Sequence, residues 1–486
     1  MVISKAQERG LFWPVLKVLA AMTHFHPSHV FSATAFVVST VVLLTSCNPS
    51  NAVNPAPVDK DFQMLATIID ALGQQGYSQL HMPDPHDLDA IPQDPNNPLT
   101  SQKVSLGRML FHETALGLGA EEESGMGTYS CASCHHASAG FQAGVQQGLG
   151  DGGVGFGIRG EGREISPDYD PDDIDRQPMR TPTAMNGAFT PVTLWNGQFG
   201  AHGPNVGTES LWTEGTPLAI NALGYLGLET QAIAGLTVHR MAPTPAFFDH
   251  LPGYTALFDA AFPEVAEDNR YSTEMAGLAI AAYERTIMSN ESPFQRWLNG
   301  EHSAMTPQQK DGAMVFFGAA QCGTCHNGPA LTDGGFHAIG MSDMPSNSVL
   351  DANVDDYGMS SEDAALGRGG FTGAEGDKYA FKTPQLYNLL DSRFYGHGGT
   401  YYTLEEVIDY KLAGVSDKPE VAPYLSHDFD AIEITEEQRD NLHRFLARAL
   451  YDPSLDRYAP GNTLSGNCFP NNDAQSSVDL GCDAPL

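Results

Sequence analysis

Basic side chains are scarce in this chain: 25 Lys and Arg stand against 59 Asp and Glu, a formal net charge of −34 over 486 residues. That imbalance excludes nucleic acid, whose phosphates such a surface repels. Most of the acidic residues read as a solvated surface that can also steer a basic protein towards it. A second absence is local. From Val18 to Val58 there is no Asp, Glu, Lys or Arg, and Val30 to Leu44 is a weakly polar to apolar run following Lys5, Arg9 and Lys17. It reads as a secretory signal core, too short for a comfortable membrane span. Strand signals are sparse as well, so the expected fold class is mainly α.

Cysteine is also infrequent, with seven in the whole chain, and four of them fall in one repeated pattern. Cys131-Ala132-Ser133-Cys134-His135 returns as Cys322-Gly323-Thr324-Cys325-His326. A CxxCH run is the attachment signal for c-type haem, in which two thiols add across the vinyl groups and the next His reaches the iron. A zinc half-site or redox disulfide is the rival reading of one such run. Two distant copies, each followed at once by His, favour two covalent haem c groups. Of the remaining three, Cys47 closes Leu44-Thr45-Ser46-Cys47, which resembles a bacterial lipobox. Cys47 would then carry lipid as the first mature residue, and Asn48 after it points to the outer membrane facing the periplasm. An uncleaved anchor is the alternative. Cys468 and Cys482 are left as a candidate disulfide, plausible in an oxidising compartment.

The expected organisation is a signal peptide (1–46), a tether and first helix (47–100), two cytochrome-c-like domains (101–300 and 301–460) and a tail (461–486). Asp61 to Leu72 reads as a helix, whereas the glycine-rich 140–162 and acidic 166–176 stretches read as loops over the first haem. Thr230 to His239 has helical spacing, and Met275, Leu278, Ala279, Ala282, Tyr283, Thr286 and Ile287 make one helical face. Capping boxes begin at Thr306, Thr403 and Thr435. The helix opened at Thr306 is expected to run straight to Cys322.

Between Val104 and Tyr451 the chain resembles the bacterial di-haem cytochrome c peroxidase/MauG superfamily. The stretches that carry it include Tyr129 to His135, Arg180-Thr181-Pro182-Thr183, Leu194-Trp195-Asn196-Gly197, Tyr283-Glu284-Arg285-Thr286, Phe381-Lys382-Thr383-Pro384, and His397 with Thr403 to Val407. The resemblance implies an enzyme that uses hydrogen peroxide at an N-terminal haem and exchanges electrons with a periplasmic donor or substrate protein through a C-terminal haem. His135 and His326 would be the proximal ligands, with Trp195 bridging the haems; read alone, Trp195 is a core aromatic. Tyr410 matches the position where MauG-like members ligate the second haem, although a Tyr on an apolar helical face is more often core. Met341, Met344 and Met359 are rival ligands. Gln231 fits the family's distal Gln. His239 stands near the distal acid position, and a purely structural role for it is equally open. Calcium is implied through backbone oxygens of a run that here reads Ser392-Arg393-Phe394. No His occurs between Ala137 and Ala201, whereas conventional peroxidases of the family close the first haem with one from that loop. The first haem is therefore expected to rest open. The rival class is a plain di-haem electron carrier, with His202 or His250 as a ligand to the first haem.

Overall fold

The computed structural model describes residues 59–345 and 359–482; the expected signal core, Cys47 and most of the tether lie outside them. No helix among the described residues is long and apolar enough to cross a membrane. Seven helices position the site: α1 (Lys60–Gln79), α2 (Ser101–Phe111), α3 (Gly227–Val238), α4 (Thr273–Glu284), α5 (Pro307–Phe317), α6 (Leu404–Ala413) and α7 (Glu436–Arg444). The boxes at Thr306, Thr403 and Thr435 all form. Each threonine accepts a bond from the backbone three residues on, and the Gln or Glu there answers it. Such caps satisfy otherwise orphaned amides and contribute about 1 kcal/mol each. Beyond α7 the chain continues as a π turn, Phe445–Ala449.

The molecule is built from two similar helix crossings. In the first, α2 lies on α4, and Gly107 comes so close that a Cβ there would sit 1.8 Å from the Ala279 carbonyl oxygen and 2.9 Å from Cβ of Tyr283. In the second, α5 lies on α7, and the same atom on Gly312 would sit 1.9 Å from the Asn441 oxygen and 2.8 Å from Cβ of Phe445. Each crossing therefore sets one glycine against a backbone carbonyl, with the next aromatic four residues along. Around them the buried side chains merge into one core that includes Leu106, Leu110 and Ala279 from one half and Ala313, Phe316 and Phe445 from the other.

The described residues from Asp59 onward group as one compact unit. The chain ends also change sides. Helix α1 packs on α5, where Lys60 and Lys310 pair with Asp311 and Asp61 and the Trp297 indole donates to Asp61 at 2.6 Å. Conversely, the C-terminal tail closes over the first motif. Ser130 donates to the Pro470 carbonyl at 2.9 Å, Ser133 bonds to Asn471, and Arg163 pairs with Asp473. A Cys468–Cys482 disulfide staples that tail.

Sheet is minimal. Strands β1 (Gly153–Val154) and β2 (Glu164–Ile165) pair antiparallel in the first-motif loop; β3 (Phe336–Ala338) and β4 (Ala380–Lys382) pair with His337 opposite Phe381. The expected run of α5 to Cys322 is not seen. The helix stops at Phe317, Gly318 leaves helical geometry, and Gln321 is left-handed at φ 53°, so that Cys322–Thr324 forms a separate 3-10 turn.

Replacing Gly312 by Ala forces α5 off α7. Overpacking of this kind costs about 1–3 kcal/mol, and the expected outcome is a lower denaturation midpoint with an unchanged slope in urea titration of the holoprotein.

Candidate functional site

Both CxxCH motifs adopt one local design. Cys131–Ser133 and Cys322–Thr324 are single 3-10 turns, and all four cysteines are free of disulfides. His135 donates through Nδ1 to the Phe141 carbonyl at 3.2 Å, and His326 to that of Leu331 at 2.9 Å. Phe141 and Leu331 are both fully buried, and both adopt the left-handed conformation, at φ 55° and 51°. Strain of that kind persists only where the surroundings impose it; here it aims a carbonyl at each imidazole. With Nδ1 committed, Nε2 is left as the ligand atom. Burial pushes both imidazoles down to about 4, so each is neutral and ready for a metal.

A cavity of about 590 Å³ runs between the motifs and is lined by His135 at one end and Cys322, Cys325 and His326 at the other. Trp195 is part of the same wall. It follows Leu194, left-handed at φ 67°, and its indole N–H donates to the Arg180 carbonyl at 2.8 Å, which fixes the ring. Unpaired thiols, Nδ1-anchored neutral histidines and an apolar cavity between them fit two covalently held haems, one on Cys131, Cys134 and His135 and one on Cys322, Cys325 and His326. Cys325 also lies with Asp333 and His337 close enough to hold a metal ion. A thioether bond at Cys325 consumes the thiol, so that trio is not a further site.

The polar groups at the His135 end come from loops and from α3 and α4. Gln231 lines the cavity, and its amide has no hydrogen-bond partner among the described residues. His239, the C-cap of α3, stands behind the wall: Nδ1 is 2.9 Å from Asp175, and Nε2 is 3.4 Å from the amide of Gln177, which does line the cavity. Burial opposes a charge on His239, but the Asp175 carboxylate outweighs it and raises the imidazole above its ordinary value. An imidazolium donates from both nitrogens, so Gln177 must turn its oxygen to Nε2. Glu284, at the end of α4, also lines the cavity; burial first and the Glu229 charge second raise its carboxyl to about 8. Its Oε2 has no hydrogen-bond partner among the described residues. Glu229 itself is held by a buried bidentate pair with Arg285, at 2.9 and 2.6 Å.

A family model described as di-haem cytochrome c peroxidase matches residues 101–303. The methylamine utilization protein MauG of Methylorubrum extorquens is 29% identical over 368 residues, covering 75% of this chain and 83% of the relative. Cytochrome c551 peroxidase of Pseudomonas aeruginosa is 25% identical over 343 residues, covering 70% and 79%. The crystal structure of a MauG-like protein associated with microbial copper homeostasis shares the fold at TM-score 0.50 and 24% identity, over 77% of this chain and 95% of that one. Over the matched residues this chain is similar to members of the di-haem cytochrome c peroxidase/MauG superfamily. It is a di-haem, peroxidase-like oxidoreductase of mainly α fold.

One expectation drawn from the superfamily meets a different geometry. Tyr410 does not reach the cavity. Its hydroxyl donates to the Ile339 carbonyl at 2.5 Å, its ring packs with Met341 and Phe429, and burial keeps the phenol protonated, above its ordinary value. In the run expected to bind calcium, the Ser392 carbonyl accepts from the Tyr395 hydroxyl and that of Phe394 from the Ser392 hydroxyl, while the Arg180 guanidinium bonds to Ser392 Oγ at 3.0 Å and to Val145 O at 3.0 Å. Of the groups that sequence reasoning did not assign, Gln177 carried no signal. Glu284 stood in the Tyr283-Glu284-Arg285-Thr286 stretch without a role.

A carboxyl held at about 8 instead of 4.5 keeps its proton in the folded protein and releases it on unfolding between those values. Stability therefore falls as pH rises through that window, by at most about 1.4 kcal/mol per pH unit. In Glu284→Gln that part of the slope disappears, as unfolding free energies measured from pH 5 to 8 will show.

Proposed function

We propose that this protein is a periplasm-facing, lipid-anchored oxidoreductase of the MauG-like kind. It takes hydrogen peroxide at the His135 haem and uses the oxidising power on a partner protein, either a substrate side chain or a small redox protein. One observation carries the reading. Among the cavity-lining residues of the N-terminal half, from His135 to Glu284, the only histidine is His135 itself. With no second imidazole there, a haem held by His135 would keep a face for peroxide without prior reduction, unlike a conventional cytochrome c peroxidase.

The bound haem would supply the redox-active iron; the chain's residues handle protons and position. Reducing peroxide to two waters takes up two protons and two electrons. His239, kept charged by Asp175, holds one proton at Nε2, next to the amide of Gln177. Proton donors placed in this way typically contribute 10²–10⁴-fold. Gln231 presents a free amide that can orient peroxide, and Glu284 holds a second proton at the cavity wall. Trp195, held by its bond to Arg180, stands in the wall shared by both haem sites and suits it for electron transfer between them. The net charge of −34 favours a basic partner.

The test is low-temperature EPR of the ferric holoprotein together with rapid mixing with stoichiometric peroxide. The expected result is one high-spin haem and one low-spin haem, and an immediate spectral response. Two low-spin haems that ignore peroxide would leave an electron carrier; a response only after one-electron reduction would leave a conventional peroxidase. His239→Gln is expected to slow the response about 100-fold without altering the resting spectrum.

A further inference from the structure

Helix α6 contributes Leu404, Val407, Ile408, Lys411 and Leu412 to the cavity wall. These stand at i, i+3, i+4, i+7 and i+8, a single helical face. Tyr410 falls off that face, and Lys411 is its one cationic member. Lys411 makes no hydrogen bond or ion pair with any described residue. Nζ stands 5.9 Å from the centroid of the Phe429 ring. Elsewhere in this acidic protein, lysines near the core are matched: Lys310 with Asp61, Lys418 with Asp343, and Lys103 with Asn97 and the Pro98 carbonyl. An unmatched ammonium facing an apolar cavity is costly and sheds its proton instead. Burial lowers the Lys411 amine to about 8 even against the pull of the Cys325 and Cys322 sulfurs.

We propose that Lys411 is the second axial ligand, opposite His326, of the haem held by Cys322 and Cys325. The inference rests on the two-haem reading above. Lys411 lines the same cavity as Cys322, Cys325 and His326. The alternatives are committed elsewhere. His337 gives Nε2 to Asp333 at 3.0 Å; His397 gives Nε2 to Asp343 at 2.9 Å and stacks flat on Phe381, centroids 3.6 Å apart. Met341 lines the cavity but packs its sulfur end beside Gly396, Tyr410 and Phe429. A neutral amine is a stronger σ-donor than a thioether and favours ferric iron, so this haem would sit at a lower potential than a His/Met pair.

Near-infrared magnetic circular dichroism and EPR of the ferric holoprotein test this, after mass spectrometry has shown both CxxCH peptides to carry haem. A missing haem mass on the Cys322 peptide would sink the two-haem reading itself, separately from the ligand assignment. The wild-type low-spin haem is expected to show a charge-transfer band of amine and imidazole ligation. In Lys411→Ala that low-spin signal, half of the total haem, is lost to high spin. Lys411→Met keeps the side-chain volume and is expected to move the band to that of a thioether ligand. Tyr410→Phe and Met341→Leu are expected to leave it unchanged. A wild-type band of phenolate or thioether type, survival of the signal in Lys411→Ala, or its loss in Tyr410→Phe or Met341→Leu, would each overturn the assignment.

Discussion

Everything in this molecule depends on two places where a helix meets a helix with nothing between their backbones. At Gly107 and Gly312 the missing Cβ lets one helix rest on a carbonyl of the other, and any side chain there would occupy the same space as that oxygen. A contact this close fixes both crossing angle and register, and the CxxCH turns hang from the frames so defined. The aromatic residues four positions beyond each contact, Tyr283 and Phe445, fill the crevice that the crossing opens. The two halves repeat this arrangement with different sequences, which shows that close approach, and not any particular side chain, is what the fold demands.

On matched frames, the two halves diverge in what they turn towards the cavity. Each anchors its histidine in the same way, with a buried left-handed residue pressing its carbonyl onto Nδ1. Around His135 the wall is then polar and proton-bearing, with Gln231, Glu284 and the Gln177–His239–Asp175 chain. Around His326 it is mostly apolar, with α6 presenting aliphatic side chains and one amine. A polar wall suits a place where protons are consumed; an apolar wall suits one that only exchanges electrons. Trp195, fixed by its bond to Arg180, lines the cavity they share.

Much of this was legible in the sequence because it rests on local rules. The paired motifs, the three capping boxes and the helix that carries Tyr283 follow from residue type and spacing, and the structure contains each of them. What was not legible depends on long-range geometry. Tyr410 and Lys411 are neighbours, and a one-residue step rotates a helical side chain by about 100°; only the packing of α6 decides which of them meets the cavity. The Asp175–His239 pair joins a loop to a helix end across the chain. The end of α5 at Phe317 reflects the left-handed Gln321 needed to turn into the second motif. Arg180, far away in sequence, could not be seen reaching the Ser392-Arg393-Phe394 run.

The exchange of chain ends bears on how the protein is made. Ser130 stands 340 residues ahead of the Pro470 carbonyl it binds, so the first motif leaves the ribosome long before the segment that covers it. Until those last residues arrive, the turn carrying Cys131 and Cys134 lacks its lid, and its thiols are open to whatever delivers haem. The tail, docked and stapled by its disulfide, covers that turn only with residues from the far end of the chain.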